Sequence, residues 1–164
     1  DILNCRQSTA QQPMGSGESK PSINDISTNL EEVPQFRARR IPETLSDHFK
    51  AEIRRAYADV QPLRVDNAQV GTVFDAVVRA ARRMRRWKFT VEDRDGGHLE
   101  GVATTAVMRF KDDFVVRVQA ADGNAVVVDM RSRSRLGSSD FGANAKRILA
   151  YFALLREELA PQNV

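Results

Sequence analysis

The run Arg131-Ser132-Arg133-Ser134-Arg135 holds the side chains best suited to chemistry in this sequence. In a β-strand its arginines share one face, with alternate residues about 6.8 Å apart. That spacing makes a ladder of bidentate donors for phosphate or carboxylate groups. Val126, Val128 and Met130 assign the opposite phase to a core, so the arginines are expected to point away from it. The plain alternative is a solvated sheet face, its charges paired with acids such as Asp129 or Glu92. Ser132 and Ser134 fall in the core phase and indicate a polar rim near the end of the sheet. Arg109, on a preceding strand, joins Arg131 and Arg133 as a candidate contact for an acidic head group.

The loop 136–144 follows directly and leads into a helix. Ser138, Ser139, Asn144 and free backbone N–H groups there would suit an anion. Asp140 puts a negative charge where that anion would sit and serves equally well as a cap, so structural capping is the stronger reading. A second basic cluster, Arg82, Arg83, Arg85 and Arg86, could face acidic lipid head groups or RNA phosphates. Asp112 and Asp113 adjoin in what reads as a hairpin turn, where neighbouring carboxylates point apart. Asp93, Asp95 and Gly96 form a fragment of a calcium loop without its remaining ligands. His48 and His98 have no nucleophile motif beside them, and Cys5 stands alone. No catalytic residue, metal site or cofactor is assigned.

These residues must be carried by regular elements. Val70, Val73, Phe74, Val77, Val78, Ala81 and Met84 recur at helical spacing, which predicts an amphipathic helix over 69–86 and allows a Thr72/Asp75 capping box. Period two follows. Trp87, Phe89 and Val91 alternate with polar residues, Asp95-Gly96-Gly97 turns, and a second strand is expected over 99–110. Lys111-Asp112-Asp113 and Asp122-Gly123-Asn124 make the next two turns. A last helix is expected over 139–159, with Ser139 or Asp140 at its start and Pro161 beyond its end. The fold class is α+β: a four-stranded antiparallel meander flanked by an N-terminal and a C-terminal helix (α-β-β-β-β-α, helix-grip-like) and preceded by an extended arm.

Three regions follow: a flexible leader over 1–22, an extended arm with a short helix over 23–65, and the α+β domain over 66–160. The short helix is expected over 46–58. The arm carries Ile26, Leu30, Phe36 and Ile41 without clean period, which reads as chain laid over the domain or over a partner. The chain has 164 residues, 41% apolar and 29% charged, with a net charge of +3. No apolar run reaches the roughly 18 residues of a membrane span. Residues 1–60 carry a net −1 and the remainder +4, with 20 arginines against 5 lysines. A pI near 9.3 admits anionic partners without demonstrating one. Nucleic acid is not favoured, because Trp87 and Phe89 fall in the core phase, away from stacking positions. The chain opens on Asp1, which reads as a processed or trimmed form.

The stretch VDMRSRSRLGSSDFGANAKRILAYFALL, residues 128–155, resembles the domain of unknown function (DUF) 1499 family. An Arg- and Ser-rich strand there runs through a Gly-Ser-Asp-x-Gly-x-Asn-Ala loop into a helix opening with Arg-Ile. ATTAVMRFKDDFVVRV, residues 103–118, is similar to the family's second signature, and SINDIST, residues 22–28, to the start of its domain. The likeness spans about residues 22–157, with 131–148 the specific part. It implies a bacterial or plastid-type protein linked to membranes, and it implies no reaction. Localisation is expected to be membrane-associated, periplasmic or organellar.

Three functional classes follow. The first is a non-catalytic accessory or interaction module of a membrane-associated protein complex, with acidic lipid as a further partner. The second is a small-ligand or lipid carrier with Arg109, Arg131 and Arg133 at the mouth of a cavity. The third, an enzyme, has no cluster of acids, bases or nucleophiles to support it.

Overall fold

The computed structural model describes residues 21–160. Among these the chain runs β1 (Asp25–Ser27), α1 (Asp47–Ala56), β2 (Leu63–Asp66), α2 (Val70–Arg83), β3 (Trp87–Asp93), β4 (His98–Thr104), β5 (Lys111–Ala121), β6 (Ala125–Ser134) and α3 (Ala143–Leu159). The expected leader lies outside the described residues except for its last two.

The hairpin turns bring β3, β4, β5 and β6 together as the expected antiparallel meander. The α+β class holds, but the sheet has six strands, not four. Both additional strands pair with the free edge of β6: β1 opposite residues 131–133 and β2 opposite residues 125–128. The segment expected as an arm thus supplies two edge strands, and Ile23 and Ile26 are fully buried in the main core. Covering the β6 edge in this way also satisfies backbone groups that an open edge would leave exposed.

One sheet face carries Trp87, Phe89, Leu99, Phe114, Val116, Val118, Val126, Val128 and Met130, and α2 and α3 pack over it. The stripe Val73, Phe74, Val77 and Ala81 of α2 and Ala145, Ile148, Phe152 and Leu155 of α3 is buried there. Burying each of the larger of these side chains contributes about 1.5–3 kcal/mol. Gly101 is required in β4 because a Cβ there would lie 2.5 Å from the Lys88 carbonyl and 2.6 Å from the Phe114 ring. That ring stacks on Trp87 at 3.9 Å. Tyr151 fills the remaining space and donates its hydroxyl to the Val77 carbonyl at 3.0 Å.

Helix starts differ in detail from expectation. Ser46 Oγ accepts the Phe49 N–H and caps α1. Helix α2 has no side-chain cap: Asp75 instead takes both arms of the Arg94 guanidinium at 2.8 Å. Helix α3 opens at Ala143 behind Gly142, whose φ of 81° favours glycine. Asp140 still serves the helix start, accepting the N–H groups of Gly142 and Asn144.

Two expectations around β4 and β5 are corrected. Strand β4 stops at Thr104, and residues 105–110 form a closed loop instead of its continuation. Thr105 N–H donates to the Phe110 carbonyl at 2.9 Å, Phe110 N–H donates to Thr105 Oγ1 at 2.9 Å, and Arg109 has a φ of 56°. Asp112 and Asp113 do not lie in a turn. They open β5, buried, because each finds arginine partners inside the fold.

Candidate functional site

The arginine ladder of β6 lies in the expected phase but not in solvent. Arg131 is 0% exposed, and its guanidinium makes a two-pronged pair with Asp25 of β1 at 2.9 and 2.8 Å. Arg133 adds a longer contact to the same carboxylate at 3.4 Å. Arg135 grips Asp113 with Nη2 at 2.7 Å and Nε at 3.1 Å, and Arg39 reaches the same acid. Asp113 in turn raises the pKa of Arg135. Arg117 pairs with Asp129 at 2.7 Å.

Over this face runs the irregular segment 29–43. Its carbonyls of Pro34 and Pro42 accept from Arg131, and that of Glu32 accepts from Arg117. The backbone N–H groups of Arg37 and Ala38 donate to the Glu100 carboxylate, which also meets His98 Nε2 at 3.1 Å. Burial pushes the Glu100 pKa up. The His98 contact and the two N–H donors outweigh that push and hold it below the usual carboxylate range. Phe36 lies under the Arg131 guanidinium at 5.3 Å. The expected outward ligand ladder is therefore corrected: Arg131 is enclosed, and Arg133 and Arg135 are committed to internal acids. Ile26, expected on a partner-contact arm, is a core residue, whereas Leu30, Phe36 and Ile41 are half-buried.

At the α3 N-terminus the polar rim indicated by Ser132 and Ser134 is present. Arg147 donates to Asp112, to Ser132 Oγ and to Asn144 Oδ1. Buried Asn144 donates to Ser134 Oγ at 3.0 Å and to the Asn24 carbonyl at 3.3 Å. The network ties β1, β5, β6 and α3 together, and every named group has its partner within the fold.

Beside this network lies a groove of about 530 Å³ between the 105–110 loop and the 136–141 loop. Its apolar rim is exposed: Val107 is 86% accessible, Phe141 76%, Leu136 68%, Met108 66% and Phe110 45%. Asp112, Ser134, Ser139 and Asp140 supply its polar lining. Arg109 sits within the first loop and Ser138 within the second, both exposed. Arg86 borders the loop base, its carbonyl accepting the Thr104 N–H at 3.1 Å. Of the positive-φ residues other than glycine, Arg86, Arg109 and Phe141 all belong to this end. Bulky side chains at such φ values are uncommon and concentrate at functional sites. Arg83, by contrast, is committed to Glu157 and Glu158, and Arg82 lies 3.8 Å from Glu92.

The apolar rim is the feature that sequence reasoning missed. Met108 and Phe110 share a phase with Val102 and read as a buried strand face. The available signal was Val107, an apolar residue in the opposite phase, which a half-buried strand would not carry. Among the described residues no three of His, Cys, Asp and Glu converge on a metal-sized site, and no helix is long and apolar enough to cross a membrane.

The curated proteins compared with this chain contain no match. Among solved structures, the crystal structure of TTHA0849 from Thermus thermophilus is similar at 11% identity and a TM-score of 0.31, covering 60% of this chain and 96% of that one. At that score the likeness carries no argument about fold detail or function. The family model described as "Protein of unknown function (DUF1499)" matches residues 19–155, and with most of its length covered the chain belongs to the DUF1499 family.

Proposed function

We propose that this protein is a non-catalytic accessory or interaction module of a membrane-associated assembly, and that it works through the end carrying the 105–110 and 136–141 loops. The observation that carries this reading is the gathering of Val107, Met108, Phe110, Leu136 and Phe141 around one groove. Exposed apolar patches of that kind mark interaction surfaces. Backbone strain at the same loops supports it, since strained residues persist where function retains them. The ionisable clusters found elsewhere are absorbed in internal pairs, which supports a scaffold over a reaction centre.

The test adds the 164-residue chain back to its native membranes. The wild-type chain is expected to sediment with them, and Val107→Ser/Met108→Ser to remain in the supernatant while melting at the same temperature. Equal sedimentation of the two would overturn the reading.

The groove volume favours a second reading, a small-ligand carrier within a helix-grip-like arrangement. About 530 Å³ lies within the range of ligand pockets. The space between sheet and helices is itself filled by Trp87, Phe114 and Tyr151, so a carried molecule would occupy the rim. Arg131 and Arg133 would not meet its head group, being paired with Asp25. Native mass spectrometry of gently purified protein is expected to show bound mass if this reading holds and only bare chain if it fails.

A further inference from the structure

We infer that the loop end of the domain docks on an anionic lipid bilayer, with Val107, Met108 and Phe141 entering the interface and a ring of lysines and arginines meeting the head groups. This deepens the interaction reading above and rests on it.

The argument comes from charge that the fold leaves unused. Arg85, Arg86, Lys88, Arg109, Lys111 and Lys146 make no ion pair or side-chain hydrogen bond among the described residues. Arg40 and Arg156 are likewise without such a partner among the described residues, but the six named cluster at one end of the molecule. Arg85, Arg86 and Lys88 stand where α2 gives way to β3, Arg109 and Lys111 bracket the exit of the 105–110 loop, and Lys146 lies in the first turn of α3. The acids of β5 and of the α3 approach do not neutralise them. Asp112 and Asp113 are buried against other arginines, and Asp140 is occupied by two backbone N–H groups. The opposite end carries Asp95 and Asp122 in its turns, while Glu157 and Glu158 at the close of α3 are taken up by Arg79 and Arg83. The domain is thus polarised along its strands, cationic where it is also apolar.

An apolar tip ringed by unpaired cations matches the layered chemistry of an anionic membrane surface, with acyl chains inside and phosphates outside. A second copy of this chain is disfavoured as occupant, because a two-fold contact would set six cations against six. A small ligand would leave Val107 and Phe141 in water, since they rim the groove and rise above it.

The test uses the full chain and vesicles of phosphatidylcholine with or without about 30% phosphatidylglycerol. Cosedimentation with the anionic vesicles is expected, falling steeply with added salt, and little with phosphatidylcholine alone. Val107→Ser/Met108→Ser and, separately, Arg109→Glu/Lys111→Glu should each weaken binding at least about tenfold, as both the apolar and the charged contributions are needed. Arg156→Glu, an exposed charge in the last turn of α3 and away from both loops, should bind like wild type. Two results overturn the inference: no binding by the wild-type chain, or equal binding by all variants. If the wild-type chain ignores vesicles while Val107→Ser/Met108→Ser is still released from native membranes, the partner is a protein: the lipid inference falls and the interaction reading stands. If neither assay responds to the loop variants, both fall.

Discussion

The two faces of the sheet are buried by different means. Helices α2 and α3 cover one, and every side chain beneath them from Phe114 to Met130 is apolar. The irregular segment 29–43 covers the other, and beneath it lie Arg117, Asp129, Arg131, Asp113, His98 and Glu100. The difference follows from what each cover brings. A helix satisfies its own backbone hydrogen bonds and asks only for apolar surface. An irregular segment arrives with unpaired N–H and C=O groups, which must find partners when water is removed. The arginines answer the carbonyls of Glu32, Pro34 and Pro42, and Glu100 answers the N–H groups of Arg37 and Ala38. The charges under the arm are the complement of its backbone.

The sharpest way to break this comparison is to remove one charge from the enclosed pair. Arg131→Met leaves the buried Asp25 carboxylate with only its 3.4 Å contact to Arg133, and the loss should be about 3–5 kcal/mol by urea unfolding. The double variant Asp25→Leu/Arg131→Met should recover much of it, because no enclosed charge is left unpaired and Arg133, which loses its contact, is partly exposed to water. On the helix-covered face Phe114→Ala should cost a similar amount, about 3–5 kcal/mol. There a cavity is the cause, and removing a second side chain makes it worse. If the double variant on the charged face is no better than Arg131→Met, the pairing account fails.

The same contrast explains what could be read from the sequence. The apolar face announces itself through period: the α2 stripe, the alternation of Trp87, Phe89, Val126, Val128 and Met130, and the α3 stripe each follow from neighbours within a few residues. The charged face depends on contacts that no local pattern contains. Arg131 and its partner Asp25 are 106 positions apart, and nothing near either residue distinguishes an enclosed arginine from a solvated one. Strands β1 and β2, of 3 and 4 residues, are too short to display a period and exist because β6 offers them an edge. The loop 105–110 failed for a different reason: apolar residues in both phases signal an exposed tip as much as a buried strand. Asp112 and Asp113 resembled turn residues until Arg147 and Arg135 were brought beside them.

A middle-sized effect should come from acid. The lowered pKa of Glu100 means that its contribution to stability is complete above the ordinary carboxylate range and is lost as pH falls through the lowered value. Glu100→Gln should therefore cost about 1–2 kcal/mol at neutral pH, since one acceptor for the Arg37 and Ala38 N–H groups becomes a donor. The gap between variant and wild type should close as pH drops, giving the variant a flatter acid limb in thermal unfolding. A constant gap down to the acid transition would place the source of stability elsewhere than in the ionised carboxylate. Amide exchange at residues 37 and 38 should quicken in Glu100→Gln while exchange in α2 and α3 stays unchanged.

The finest distinction lies between two arginines on the same face. Arg131 uses the geometry of its fork, with Nε and Nη2 both on Asp25 and further contacts to Pro34 and Pro42. Arg117 uses one nitrogen: Nη2 serves both Asp129 and the Glu32 carbonyl, and its Nε is buried without a partner. A lysine at 117 can present one ammonium to the same two acceptors and removes the orphaned N–H. Arg117→Lys is therefore expected to change stability by no more than about 1 kcal/mol in either direction. Arg131→Lys gives up the paired geometry and should approach the cost of Arg131→Met, even though it keeps the charge. Equal losses from the two lysine variants would mean that the face needs only positive charge. Unequal losses in the expected order would mean that the arm is held by directed hydrogen bonds, which a backbone without helical pairing requires.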